Sequence, residues 1–238
     1  MRRRRLAVVA GAVALTLGLI AWLGVERWVA TTELPPLALE TSVEVLARDG
    51  ALLRAFTVGD GRWRLAVTAD RVDPTYLAML IAFEDRRFFD HGGVDAWALA
   101  RATWQAVRHG RLVSGGSTLT MQVARLLEDG STGSWAGKLR QVRLALALER
   151  SLSKDEILAL YLHHAPMGGN LEGVRAASLA WFGKEPERLT EAEAALLVAL
   201  PQAPALRSPD LHPDAARAAR DRVLARAEAA GVIGTDAA

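Results

Sequence analysis

Cysteine is absent from this chain of 238 residues, and only three of its 29 basic residues are lysines. Without cysteine the chain forms no disulfide and performs no thiolate chemistry. An excess of one charge is also missing, because 29 basic and 27 acidic residues leave a net charge of only +2. This balance disfavours electrostatic binding of nucleic acid. Hydrophobic residues make up 51% of the chain, enough for the core of one domain of ordinary size plus an appendage.

A long uncharged segment stands near the N-terminus. Four arginines at residues 2–5 precede residues 6–25, which carry no charge and would span the roughly 30 Å of a bilayer core as a helix. A cleaved signal peptide has a shorter apolar core of about 7 to 15 residues. We therefore predict a retained transmembrane helix. The arginines predict a cytoplasmic N-terminus, with the rest of the chain outside the inner (cytoplasmic) membrane.

The pattern of the sequence changes twice after this segment. Residues 43–67 alternate in polarity and carry turn dipeptides at Asp49-Gly50 and Asp60-Gly61, which predicts two short hairpins. From Asp73 onward the periodicity is helical, and helix starts are indicated at Asp73-Pro74, Ser153 and Thr190. The predicted fold is mainly α with a small N-terminal β element. The predicted division is a basic tail (1–5), a transmembrane helix (6–25), a linker (26–42), a domain (43–230) and a C-terminal tail (231–238).

The stretch EDRRFFDHGGVD at residues 84–95 raises the question of what Glu84 does. The residues seven, four and three positions before it are all apolar: Leu77, Leu80 and Ile81. Glu84 therefore lies on the apolar stripe of a helix, at the end where the helix dipole is negative. Both conditions disfavour its ionised form, which suits proton exchange with a hydroxyl near neutral pH. A buried acid paired with Arg86, Arg87 or His91 is the alternative, and the local sequence leaves both open.

Two further motifs suggest a site for an anion. In GGSTLTMQVAR, residues 115–125, two glycines lead into a helix whose first turn carries Ser117, Thr118 and Thr120. Free N–H groups at a helix start bind anions, although an ordinary cap by Ser117 explains the same pattern. In KLRQVRLALALE, residues 138–149, basic residues crowd a helix start, where the dipole opposes them. A diphosphate would favour them there, and a solvated basic face is the alternative.

Between these motifs, two tryptophans alternate with arginines. Trp97 and Trp104 are interspersed with Arg101, Arg108 and Arg111. Indole and guanidinium groups together suit the headgroup region of a membrane. A core helix with a basic outer face remains the alternative.

Taken in order, the motifs resemble the peptidoglycan glycosyltransferase domain, a lysozyme-like domain of class A penicillin-binding proteins and monofunctional transglycosylases. The family pattern E-D-x-x-F-x-x-H-x-G-x-D is matched at residues 84–95, and G-G-S-T-[IL]-T-x-Q at residues 115–122. Residues 161–184 and 189–204 follow later family segments. Met121, the run VARLL and the run GRWR are most similar to the type-C members, which carry a transpeptidase domain after this one. Two alternatives stay open: a piece of such a bifunctional protein, or a protein that only polymerises glycan.

The resemblance implies polymerisation of lipid II, with Glu84 as the general base on the attacking sugar hydroxyl. It implies that lipid II, nascent glycan strands, the membrane and other cell-wall synthesis proteins are the partners, and that nucleic acid is not. The implied substrate-binding residues, several of them around the donor diphosphate, are Asp85, His91, Ser117, Thr118, Thr120, Gln122, Lys138, Arg140 and Gln141.

One motif departs from the family pattern. The family has R-K-x-x-E where this chain has Gly137-Lys138-Leu139-Arg140-Gln141, so an arginine is missing and Gln141 replaces the acid. Many members are helped by a divalent cation such as Mg²⁺ or Mn²⁺, and a glutamine supplies no charge to hold one. We therefore expect weaker metal dependence or slower turnover. A lysozyme-like hydrolase and a non-catalytic scaffold for lipid II are the rival interpretations, and the hydrolase requires a second carboxylate.

Overall fold

The structure, a computed structural model, describes residues 2–38, 40–109, 116–128 and 134–234. Arg111, Gly115 and residues 235–238 of the predicted tail lie outside the described residues. The described chain is mainly helical, with two small sheets, and the predicted fold class is confirmed.

The N-terminal helix α1 is Arg2–Ala30, and its stretch Gly11–Ala30 is long and apolar enough to cross a membrane. The helix continues past the predicted end at residue 25 into the predicted linker. Its last turns are held by the domain: Arg143 donates to the Trp28 carbonyl at 2.9 Å, and Arg150 donates to Glu26 at 2.9 Å. Val29, the residue after Trp28, is 1% exposed. Tertiary contacts therefore extend the helix beyond its apolar run.

The first predicted hairpin is confirmed, and the second is wrong. Strands β1 (Val43–Leu46) and β2 (Leu52–Phe56) pair antiparallel around the Asp49-Gly50 turn. Strand β3 (Trp63–Arg64) instead pairs in parallel with β4 (Leu171–Glu172). Two arginines explain this choice, because Arg62 and Arg64 both form ion pairs with the buried carboxylate of Glu172.

The remaining helices are α2 (Pro74–Glu84), α3 (Ala96–His109), α4 (Leu119–Leu127), α5 (Trp135–Ser151), α6 (Lys154–His164), α7 (Val174–Phe182), α8 (Glu191–Ala199) and α9 (Pro213–Ala229). Two short 3₁₀ turns lie before α2 (Ala69–Arg71) and after α8 (Leu200–Gln202). The predicted helix starts are confirmed. The Asp73 side chain accepts from Thr75 N at 2.8 Å, and Ser153 and Thr190 each form a capping box.

The core brings the ends of several helices to one place. Helix α2 packs on α8 and α9, while α4 packs on α5 and α6. Side chains such as Met79 and Leu197 are fully buried there, and each contributes about 1.5 to 3 kcal/mol of hydrophobic stabilisation. Close packing of the loop after α2 needs a glycine at position 93. Its φ is +94°, and an added Cβ would lie 2.8 Å from the Ala145 carbonyl oxygen.

Candidate active site

Glu84 is the last residue of α2 and lies partly buried in a cleft. Gln122 Nε2 donates to Glu84 Oε2 at 2.8 Å, and Gln202 Nε2 donates to Glu84 Oε1 at 2.7 Å. These amides are its hydrogen-bond partners, so the alternative pairing with Arg86, Arg87 or His91 is not formed. The two donated hydrogen bonds come from neutral amides and fix the orientation of the carboxylate. They occupy two of its roughly four acceptor positions and leave the others for a substrate proton.

Asp85, the next residue, points into the protein and ties the loop to α4. Both of its carboxylate oxygens lie 3.0 Å from His91 Nε2, and Oδ2 also accepts from Leu119 N at 2.9 Å. Gly93 N donates to His91 Nδ1, so the imidazole proton is on Nε2 and faces Asp85. The Asp85 and His91 side chains are only 4% and 5% exposed. Asp85 and His91 therefore brace the site, with Asp85 at the edge of the cleft and His91 behind it.

The two adjacent hydroxyl groups at the start of α4, those of Ser117 and Thr118, have different partners. Thr118, and not Ser117, is the N-cap: its side chain accepts from Met121 N and donates to the Gly93 carbonyl at 2.6 Å. Ser117 is therefore free to turn outward, and its hydroxyl accepts from Lys138 Nζ at 2.6 Å. The alternative of an ordinary cap by Ser117 is therefore not formed. The helix keeps its cap while Ser117 faces the cleft.

One side of the cleft, the lysine arm, has a volume of about 320 Å³. It is lined by Glu84, Ser117, Met121, Gln122, Arg125, Lys138, Gln141 and Gln202. Burial, followed by the positive charge of Arg125, lowers the pKa of Lys138. Two close cations that repel each other leave room for an anion between them. Gln141 adds a neutral amide, whose oxygen lies 3.5 Å from Lys138 Nζ.

The other side, the arginine arm, has a volume of about 570 Å³ and meets the lysine arm at Glu84, Ser117, Gln122 and Gln202. Its cations are Arg86, Arg87, Arg101 and Arg226. Asp95 also lines it but serves as a helix cap, accepting from Trp97 N at 2.9 Å and Ala98 N at 3.0 Å. Burial opposes the ionisation of Asp95, but the Ala98 N–H, Arg87 and the Trp97 N–H outweigh it and lower its pKa. Asp95 therefore stays ionised and does not act as a proton donor near neutral pH.

Several predicted site residues lie elsewhere. Thr120 is fully buried and donates to Glu149 at 2.6 Å. Arg140 lines neither arm of the cleft and lies 4.0 Å from Glu128. Arg143, on the same basic helix, stacks over Trp28 at 5.4 Å and holds the end of α1. Of the basic residues at the start of α5, Lys138 therefore faces the cleft, whereas Arg143 contacts the N-terminal helix.

Gln202 and Arg125 complete the cleft and are absent from the predicted substrate-binding set. Gln202 follows α8 in the segment LPQAP, where one exposed amide between two prolines is the signal that could have indicated it. Arg125 stands two turns into α4 from Thr118, on the same face as Ser117 and Gln122. Arg125 is three positions after Gln122, and this spacing alone indicates that both lie on one face of the helix.

The residues of the lysine arm do not fit a resident divalent cation. Mg²⁺ and Mn²⁺ prefer carboxylate oxygens, whereas this arm presents two cations, neutral amides and a hydroxyl around a single carboxylate. Among the described residues, no group of three or more histidine, aspartate or glutamate side chains could hold a metal ion.

The chain is similar to several known proteins. The family model described as Transglycosylase matches residues 49–228. Penicillin-binding protein 1C of Escherichia coli K12 is 49% identical over 214 residues, 90% of this chain and 27% of the relative. Penicillin-binding protein 1F of Bacillus subtilis 168 is 37% identical over 170 residues, 71% of this chain and 24% of the relative. The chain thus spans about a quarter of the length of these relatives. The crystal structure of penicillin-binding protein 1A from Haemophilus influenzae is 20% identical with a TM-score of 0.44, covering 86% of this chain and 20% of that one.

Proposed function

The chain belongs to the transglycosylase family, and on that premise we propose that it is a peptidoglycan glycosyltransferase that polymerises lipid II at the cleft around Glu84. The observation that carries this proposal is the position of Glu84 where two cationic arms meet, with both carboxylate oxygens oriented by amides. Polymerisation joins two substrates that each carry a lipid diphosphate. A base between two cationic arms suits a reaction of that kind.

Glu84 acts as the general base. The acceptor sugar hydroxyl attacks C1 of the growing glycan, its proton passes to Glu84, and the bond from C1 to the diphosphate oxygen breaks. The bonding electrons leave with undecaprenyl diphosphate, so the product keeps one lipid anchor and the configuration at C1 inverts. Proton removal by a positioned carboxylate contributes about 10²- to 10⁴-fold to such a step.

The lysine arm receives the leaving diphosphate. Lys138 and Arg125 would neutralise the charge that develops on the departing oxygen, while Ser117 and Gln122 orient it. Because Gln141 replaces an acid, no carboxylate competes with the diphosphate for Lys138. We assign this role to the cations of the protein itself and not to a metal ion.

The N-terminal helix holds the cleft at the membrane that contains the substrate. The four arginines at residues 2–5 favour a cytoplasmic start, which places the domain on the outer side of the cytoplasmic membrane. Exposed Trp97, Trp104 and Trp135 lie on the helices that flank the cleft and suit the headgroup region.

A hydrolase is the less favoured function. Cleavage of a glycan by inversion needs a second carboxylate to activate water about 6.5 to 9.5 Å from the acid. Apart from Glu84, the described carboxylates that line the cleft are Asp85 and Asp95. Asp85 is bound to His91 and Leu119, and Asp95 caps α3 beside Arg87. Neither is free to activate a water molecule.

The test is polymerisation of labelled lipid II by the full chain in detergent or vesicles, with Glu84→Gln as the variant. Glu187→Gln is the matched control, because Glu187 lies outside the cleft and pairs only with the exposed Arg71 among the described residues. We expect polymer from wild type and the control, and a loss of about 10²-fold or more in Glu84→Gln. A variant that polymerises like wild type would show that the base is another group. Wild type that binds lipid II without polymerising it would support the scaffold instead, and shortened glycan strands would support the hydrolase.

A further inference from the structure

A chain of hydrogen bonds reaches Glu84 from outside the cleft. Gln202 Nε2 donates to Glu84 Oε1 at 2.7 Å, while Gln202 Oε1 accepts from Arg207 Nη1 at 3.0 Å. Arg207 Nη1 also donates to the Ala199 carbonyl at 2.6 Å, at the last residue of α8. Arg207 is partly buried and lines neither arm. Its hydrogen-bonded link to the base therefore runs through Gln202, while its positive charge also attracts the Glu84 carboxylate directly.

Arg207 determines which end of the Gln202 amide faces Glu84. A guanidinium only donates hydrogen bonds, so the end of Gln202 that faces Arg207 is the carbonyl oxygen. The NH₂ group must then face the carboxylate. In the opposite orientation the Gln202 carbonyl oxygen would face the negative carboxylate of Glu84, and the Gln202 NH₂ group would face the Arg207 cation. Both contacts would be repulsive. The exposed side chain of Gln202 has little packing to prevent that rotation without Arg207.

We propose that Arg207 is a positioning residue for the reaction: it fixes the Gln202 amide, which in turn holds the Glu84 carboxylate aimed into the cleft. This inference rests on the proposed function, in which Glu84 is the base. Gln122 holds the other carboxylate oxygen from α4. The two amides together leave Glu84 with one orientation, as a base aligned with an attacking hydroxyl requires.

Other charged and titratable groups also face Glu84. Burial and the charge of Glu84 raise the pKa of Tyr76 and Tyr161, so both phenols stay neutral over the working pH range. The cations across the cleft are Lys138, Arg125 and Arg226. None of these groups contacts Gln202 Oε1, so a change at Arg207 alters the orientation of the amide and leaves them in place.

The test compares Arg207→Met with Arg207→Lys in steady-state polymerisation of lipid II by the full chain. A hydrogen bond to a charged group justifies an expected fall in kcat of about tenfold for Arg207→Met, with little change in KM. Arg207→Lys keeps a cationic donor and should recover much of the rate. Arg217→Met is the matched control, since Arg217 is an exposed arginine on α9.

A double variant separates positioning from other effects. If Arg207 acts through Gln202, adding Arg207→Met to Gln202→Ala should cause no further loss of kcat. A further tenfold loss, or a loss that Arg207→Lys does not recover while thermal stability falls, would overturn the proposal and leave Arg207 a structural residue. Wild type that makes no polymer would overturn the proposed function itself. Wild type that polymerises while Arg207→Met equals it would overturn only the positioning role.

Discussion

Replacing Asp85 tests whether it supports the fold or binds substrate. The family resemblance puts it among the substrate-binding residues, whereas the structure turns both of its carboxylate oxygens toward His91 and Leu119. We expect Asp85→Ala to reduce stability strongly. Any loss of activity should follow from the loss of folded protein.

The magnitude follows from the two donors that the substitution would leave without an acceptor. These are the N–H of Leu119 and the Nε2–H of His91, both buried beside Asp85. An unsatisfied buried donor costs about 1 to 3 kcal/mol, so the expected loss is about 4 kcal/mol. For a domain of this size that corresponds to a decrease in Tm of about 8 to 16 °C. Asp85→Asn keeps one acceptor but turns an NH₂ toward the His91 donor, so its effect should be about half as large.

The assay is thermal unfolding of the full chain in detergent, followed by circular dichroism, together with binding of labelled lipid II at a temperature well below Tm. Asp90→Ala is the matched control, because Asp90 is an exposed aspartate in the same loop. We expect its Tm to equal that of wild type. An Asp85→Ala variant with unchanged Tm but lost lipid II binding would refute the structural role.

Three further predictions concern charge. Gln141→Glu would place a carboxylate 3.5 Å from the Lys138 ammonium. We expect a chelator to slow polymerisation by this variant and to leave polymerisation by wild type unchanged. Arg125→Met removes the repulsion that helps to lower the pKa of Lys138, so that pKa should rise and the alkaline limb of kcat/KM should move to higher pH. Burial, followed by the charge of His163, lowers the pKa of His164 to about 4. As the pH drops, the unfolded state therefore gains a proton before the folded state does, and stability should fall between about pH 6.5 and 4. Measurement of Tm against pH tests this, and the fall should be smaller in His164→Gln.

Features set by nearby residues were predictable from the sequence. Asp73, Ser153 and Thr190 begin their helices as expected because a cap depends on residues two or three positions away. The position of Glu84 at a helix end followed from apolar spacing within a single helix. The hydroxyl groups at the start of α4 show the limit of local rules, because Ser117 and Thr118 are equally good caps in sequence. The Gly93 carbonyl, 2.6 Å from Thr118 Oγ1, selects the threonine.

Features set by distant residues were not predictable. Arg62 pairs with Glu172 across 110 positions, so the parallel pairing of β3 with β4 left no local signal. Gln202 reaches Glu84 across 118 positions, and its partner Arg207 lies in an irregular segment. The resemblance to the family indicated the region of the site. The particular amide partners of Glu84 emerged only from tertiary packing.

In the proposed reaction, with Glu84 as the base, the arrangement of the cleft separates two electrostatic requirements that conflict. A cation bonded directly to Glu84 would stabilise its charge and weaken it as a base, whereas the leaving diphosphate needs cations close by. Here neutral amides from Gln122 and Gln202 orient the base, and Lys138 and Arg125 stand in the lysine arm. Gln141 agrees with this division, because an acid at that position would neutralise Lys138 unless a metal ion restored the positive charge. The replacement therefore fits an enzyme that relies on its own cations, and it gives no reason to infer a loss of catalysis.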